Sequence, residues 1–109
     1  MDNDERRNFT RMNVELAVRE TASGHCLTAR AVDLGVLGMR YLAPDGPTPP
    51  GREVTLELAL PDGGVAVSVR GLIIDDQPAT GGRYRSVQFA YLSDEDARRV
   101  CRHLGDPRA

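Results

Sequence analysis

The run EVTLELAL, residues 53–60, puts Val54, Leu56, Leu58 and Leu60 on one side of an extended chain and Glu53, Thr55 and Glu57 on the other. Successive side chains of a strand point to opposite faces, so a period of two describes a strand with one face buried and one in water. The pattern recurs along the chain. In MNVELAVRE, residues 12–20, Met12, Val14, Leu16 and Val18 alternate with Asn13, Glu15, Ala17 and Arg19. HCLTARAVDL (25–34) reads as the returning strand, and GMRYLA (38–43) as a third with Met39 and Tyr41 on one face. VAVSVRGLII (65–74) alternates through Val65, Val67 and Val69, and RYRSVQFAYL (83–92) shares a face among Val87, Phe89 and Tyr91.

Turn formers separate these runs: TASG (21–24), PDGPTPPG (44–51), PDGG (61–64) and the polar, glycine-rich DDQPATGG (75–82). Glycine, proline, asparagine and aspartate mark turns because each supplies backbone angles or local hydrogen bonds that strands do not. PDGG joins residues 53–60 to 65–74 as a hairpin. PDGPTPPG is expected to hold no regular structure, and Asp75-Asp76 to be a solvated turn.

The chain closes on a helix. Ser93 is an N-cap with Asp96 three residues on, and Asp94, Glu95 and Asp96 suit the positive end of the helix dipole. Ala97, Val100, Cys101 and Leu104 recur at i, i+3, i+4 and i+7, giving one stripe to dock, and Gly105 and Pro107 end the helix. Six short antiparallel strands and one C-terminal helix predict a mainly β protein. A small closed barrel is its form, because closure removes exposed strand edges.

A length of 109 residues suits one domain that can bury a core without staples. The organisation expected is a flexible N-terminal arm (1–11), the barrel with its helix (12–105) and a tail (106–109). No apolar run approaches the about 20 residues of a membrane span. The opening MDNDERRNFTR lacks the apolar segment of a secretory signal, so a cytoplasmic protein without membrane insertion is expected. Cys26 and Cys101 form neither a CxxC pair nor a metal-ligand cluster with His25 and His103, and read as small buried hydrophobes in a reducing compartment. A net charge of −2 argues against binding to long nucleic acid, which calls for a basic face. All 14 basic residues are arginine, as a codon bias would give, so position rather than residue type must carry any argument about them.

Two stretches depart from the core pattern. ERRNFTR (5–11) holds Arg6, Arg7 and Arg11 just before the first strand. A guanidinium offers forked donors that match phosphate and the O6/N7 edge of guanine, and its flat face stacks on bases. Arg7 and Arg11 either share a helical face or, extended, reach about 13 Å along one ligand. A solvated arm balanced by Asp2, Asp4 and Glu5 is the alternative. In DLGVLG (33–38), Gly35 and Gly38 allow a tight bend and close backbone approach. Asp33 there could accept from N1–H and N2–H2 of a guanine, or make an Asx turn with its own backbone.

Together the two stretches resemble the PilZ domain family, bacterial receptors for the second messenger cyclic di-GMP. That family carries RxxxR in an N-terminal arm and [D/N]xSxxG after the second strand, beside a six-stranded barrel with a C-terminal helix. Arg7 and Arg11 match the first motif, with Arg6 giving the common double arginine. Asp33 and Gly38 match the second. VRGLIID resembles the family's fifth strand, and RYRSVQFAYLSDEDARRVCRHL its last strand and helix, including Phe89 and Leu92. Gly35 stands where the family usually has serine, which removes a hydroxyl and leaves the backbone N–H as the donor at that position.

The resemblance implies a single-domain cyclic di-GMP receptor whose ligand set is Arg6, Arg7, Arg11, Asp33, Gly35 and Gly38. It implies a downstream partner protein, a ligand that can bind as a stacked dimer, and no further cofactor or metal. The alternative is a protein-interaction adaptor with weak or no nucleotide binding, because Gly35 replaces serine. The residues leave monomer and dimer open. An enzyme is not expected: there is no nucleophile–base pair, no paired catalytic carboxylates and no GxxxxGK loop. Single-stranded RNA binding would call for exposed aromatics on a basic face, and five aromatics assigned mostly to the core leave few.

Overall fold

The computed structural model describes residues 12–105. Six strands close into a barrel: β1 Met12–Ala22, β2 His25–Leu34, β3 Gly38–Ala43, β4 Glu53–Leu58, β5 Val67–Ala79 and β6 Gly82–Tyr91. They run in the order β1-β2-β3-β6-β5-β4, with β4 pairing back onto β1 and every pair antiparallel. Adjacent strands therefore alternate in direction, and each connection is assigned to one of two rims. One rim carries the start of β1, the β2–β3 bend, the β4–β5 loop and the end of β6. The other carries the β1–β2 turn, the β3–β4 loop and the β5–β6 turn.

Inward positions follow the period of two. Leu16 and Val18 of β1, Met39 and Tyr41 of β3, and Val54, Leu56 and Leu58 of β4 are all buried in one core. Tyr91 breaks the pattern: Val87 is buried and Phe89 packs against the core, but Tyr91 is 75% exposed. The β5–β6 register shifts between Arg70 and Gly71, opposite Tyr91 and Phe89, so the end of β6 leaves the inward phase.

The connection expected at 75–82 is mostly strand. β5 continues to Ala79 and pairs with β6 down to Ala79–Gly82, leaving Thr80–Gly81 as the turn, with Gly81 in the left-handed region at φ 82°. The reason lies in Asp76. Its side chain is only 2% exposed and bonds two arginines of β6, so the polar pair that read as a solvated turn belongs to the barrel wall. At the other turn β1 runs on to Ala22, and only Ser23 and Gly24 reverse the chain, both at positive φ. PDGPTPPG also gains structure, because its end joins a short 3-10 turn, Pro50–Arg52. Both cysteines are free, Cys26 exposed and Cys101 half-buried, so the expectation of buried thiols fails. Cys26 lies next to the β1–β2 turn, where the strand has left the core.

The helix, α1 (Asp94–His103), starts as its sequence indicates, with the Asp96 N–H donating to Ser93 Oγ at 3.1 Å. Val100 is buried, and Leu104 packs against the core. Arg99 pins α1 to the β4–β5 loop. It donates to Asp62 through Nε (2.9 Å) and Nη2 (3.0 Å), and Nη2 reaches the Val65 carbonyl at 2.7 Å. Among the described residues no helix is long and apolar enough to cross a membrane.

Candidate functional site

The bend between β2 and β3 sits on the first rim. Its shape is set by two backbone bonds: Gly35 N–H donates to the Gly38 carbonyl at 3.0 Å, and Phe89 N–H of β6 donates to the Leu37 carbonyl at 2.8 Å. The first closes the bend on itself and the second ties it to the barrel wall. Gly38 serves close approach rather than unusual dihedrals. A Cβ there would lie 2.3 Å from the Val87 carbonyl oxygen, inside van der Waals contact with backbone. Between the two ties Leu37 projects outward, 56% exposed.

Gly35 differs in one respect from its sequence reading. Its N–H is not left over as a donor for a ligand; it is used inside the bend. With no side chain either, this position offers a ligand no conventional hydrogen-bond donor.

Asp33 lies where three strands meet. It pairs in register with Asn13 at the start of β1 and with Arg40 of β3. Met12 pairs with Leu34, so the chain enters the barrel directly beside the bend. Arg6, Arg7 and Arg11 of the arm lie outside the described residues. The structure thus brings Asp33, Gly35 and Gly38 together on one short stretch of rim, beside the point where the arm joins β1.

Arg40 is a residue that the motif reading did not single out. Met39 and Tyr41 face the core, so the intervening Arg40 faces out, and it is exposed. Its guanidinium carbon sits 5.0 Å from the centre of the Tyr84 ring, within cation–π range.

A second polar centre lies towards the opposite rim, inside the barrel. Glu20 and Arg85 are 3% and 1% exposed, and Arg85 Nη1 donates to both Glu20 oxygens at 2.9 Å. The Tyr41 hydroxyl donates to Glu20 Oε2. Arg85 Nε donates to Asp76 (3.2 Å) and Nη2 to the Pro47 carbonyl (3.0 Å), while Thr48 and Arg83 complete Asp76 at 2.6 and 2.7 Å.

Burial raises the Tyr41 pKa well above the usual phenol range, and the hydrogen bond to Glu20 adds to it, so Tyr41 keeps its proton. Burial opposes ionisation of Asp76, yet bonds from Thr48 and Arg83 and the charge of Arg85 hold it below the ordinary aspartate value. Each charge has close partners, and two carboxylates balance two guanidiniums. A saturated network of this kind binds the β3–β4 loop to the barrel wall. Sequence phase was the available signal: Glu20 continues Leu16 and Val18, and Arg85 precedes Val87 and Phe89, each at spacing two.

Among the described residues no group of three histidine, cysteine, aspartate or glutamate side chains is placed to hold a metal ion.

The family model of the PilZ domain matches residues 5–105. No curated protein sequence matches the chain. Similar solved structures include the inhibitor of motility MotI/DgrA of Bacillus subtilis, at TM-score 0.74 and 14% identity over 90% of this chain and 48% of that one. The PilZ domain with c-di-GMP of YcgR from Escherichia coli matches at TM-score 0.69 and 18% identity, over 91% of this chain and 88% of that one. YcgR in complex with c-di-GMP, also from E. coli, matches at TM-score 0.71 and 19% identity, over 94% and 46%. At these identities the likeness establishes the fold. The chain spans about half the length of the MotI chain and of the longer YcgR chain.

Proposed function

The chain belongs to the PilZ family, and on that premise we propose that it is a cyclic di-GMP receptor that passes the signal to a partner protein. The observation that carries this reading is the placement of the DLGVLG bend. Asp33 and Gly38 stand on one rim, and Asp33 pairs cross-strand with Asn13, next to the residue at which the arginine arm joins β1. In the proposed complex Arg7 and Arg11, with Arg6 beside them, grip phosphates and guanine edges from the arm. Asp33 accepts from the N1–H and N2–H2 edge of one base, and Gly38 lets the bend pack directly on β6. Engagement of the ligand by the arm changes the surface offered to a partner, because a ligand shifts the population towards the conformation it binds best. No bond of the ligand is made or broken in this role, so no catalytic residue is assigned.

Calorimetric titration of the nucleotide into the parent, Arg7→Ala and Arg11→Ala proteins tests the reading. Saturable binding by the parent, lost in both variants with unchanged melting temperature, is expected, and the stoichiometry reads whether the ligand enters as a stacked pair. Absence of saturation by the parent at millimolar nucleotide refutes it.

A specific observation favours a second reading, a protein-binding adaptor with little nucleotide affinity. Gly35 lacks the hydroxyl usual for the family, and its N–H is already bonded to Gly38. A hydrogen bond to a charged group is worth about 1.5–3 kcal/mol, roughly tenfold to a hundredfold in affinity. Gly35→Ser decides between them: binding that appears only in the variant supports the adaptor.

A further inference from the structure

We propose that Arg40 is a further ligand contact of this site: its exposed guanidinium stacks on a guanine base of the nucleotide, with Tyr84 holding it from behind. The inference rests on the receptor reading above and adds a residue outside both motifs.

Three observations carry it. The first is position. Arg40 is two residues beyond Gly38 and directly cross-strand from Asp33, and paired residues of adjacent strands project to the same side. A base whose edge is read by Asp33 therefore lies one strand from the Arg40 backbone, and meets the guanidinium by extending across β3 towards Tyr84. The second is order. A free arginine loses considerable rotamer freedom on binding, but this guanidinium already rests 5.0 Å from the Tyr84 ring centre. Tyr84 is half-buried and pairs with Leu42, while Arg40 pairs with Ser86, so ring and guanidinium meet diagonally on the outer face. The third is charge. Arg83, Arg85 and Arg99 all bond carboxylates. Among the described residues Arg40 has no such partner and remains an exposed cation beside the bend.

A planar, exposed cation already lying over an aromatic ring is suited to a purine. The resulting stack runs Tyr84, Arg40, guanine. The ligand is also an anion, so the same charge attracts its phosphates before the base is seated. Tyr84 is a positioning residue in this arrangement, since it acts through Arg40.

The test is titration of cyclic di-GMP into the whole chain and its Arg40→Ala, Arg40→Lys and Tyr84→Leu variants, each with a thermal melt. A stacked, charged contact predicts about tenfold weaker binding for Arg40→Ala. Arg40→Lys keeps the point charge and loses the plane, so it recovers only part of that loss. Tyr84→Leu loses less than Arg40→Ala, because the guanidinium is still present but no longer held. Parent binding with Arg40→Ala within twofold of it overturns the proposal and leaves the receptor reading standing. So does full parental affinity in Arg40→Lys, which remains the deciding variant if Arg40→Ala lowers the melting temperature. A parent that does not saturate overturns the receptor reading and this contact together.

Discussion

Replacing Glu20 with alanine removes the centre of the buried polar network without touching the bend. Arg85 Nη1 loses two bonds of 2.9 Å, and the buried Tyr41 hydroxyl loses its acceptor. Arg85 keeps Asp76 at 3.2 Å and the Pro47 carbonyl at 3.0 Å. Breaking a buried ion pair from one side costs about 3–5 kcal/mol, because the remaining charge is stranded away from water. The Asp76 contact puts this case near the lower end, and the orphaned phenol adds about 1 kcal/mol or more. A loss of about 4 kcal/mol is a large share of the 5–15 kcal/mol by which domains are typically stable. At roughly 4–8 °C per kcal/mol for a domain near this size, the melting temperature should fall by about 16–32 °C.

Thermal unfolding followed by circular dichroism measures this directly. A triple variant supplies the control: Glu20→Leu with Arg85→Met and Tyr41→Phe removes charges and hydroxyl together. Since apolar replacement of a buried ion pair is often neutral or stabilising, and Asp76 keeps Thr48 and Arg83 when Arg85 is removed, it should melt well above Glu20→Ala. Glu20→Ala melting within about 4 °C of the parent would refute the reasoning, because it would mean that water reaches Arg85 in place of the carboxylate.

Other predictions follow from single contacts. Gly38→Ala drives a methyl to 2.3 Å from the Val87 carbonyl, so β3 and β6 must part; overpacking of about 1–3 kcal/mol should appear as a clearly lower melting temperature. A melt unchanged within 2 °C would rule out the close approach. The Arg99 hydrogen bonds hold the Asp62 carboxyl well below the ordinary aspartate value of 3.8. A depressed folded-state pKa stabilises fully above the unfolded value and fades as pH falls below it. The gap in melting temperature between parent and Asp62→Asn should therefore be full at pH 7, begin to narrow below about pH 4 and close only as pH falls through the depressed folded-state value; a gap that widens in acid contradicts the pair. Exposed Cys26 should react with a thiol reagent in the native state faster than half-buried Cys101, and mass mapping of the first-labelled peptide checks the order.

Much of the barrel was legible because burial on one face imposes its own period. Val54, Leu56 and Leu58 could only be inward once Glu53, Thr55 and Glu57 were outward, and the Ser93 cap could be read from local hydrogen-bond chemistry alone. The same logic failed where polar residues occupied inward positions. Asp75-Asp76 read as a turn because aspartate is rare inside strands, and its stabilising arginines come from β6, beyond the range of local pattern. Glu20 and Arg85 are 65 residues apart in sequence, and only barrel closure makes them partners. In the candidate site, Asp33, Gly35 and Gly38 were visible as a motif, whereas Arg40 carried no local signal. Its interest arises from a neighbour on another strand.

By itself, then, the sequence determined which residues alternate, where the chain turns and where the helix begins, since these depend on nearest neighbours along the chain. It also placed the bend and its family resemblance. Only the tertiary structure decided that the Gly35 amide is consumed within the bend, that β5 and β6 continue through a polar segment, and that four charges and a phenol fill one end of the barrel. Each of those depends on which strand lies alongside which. Register joins residues that chain distance keeps apart, and a charge can stay buried only where register brings it a partner.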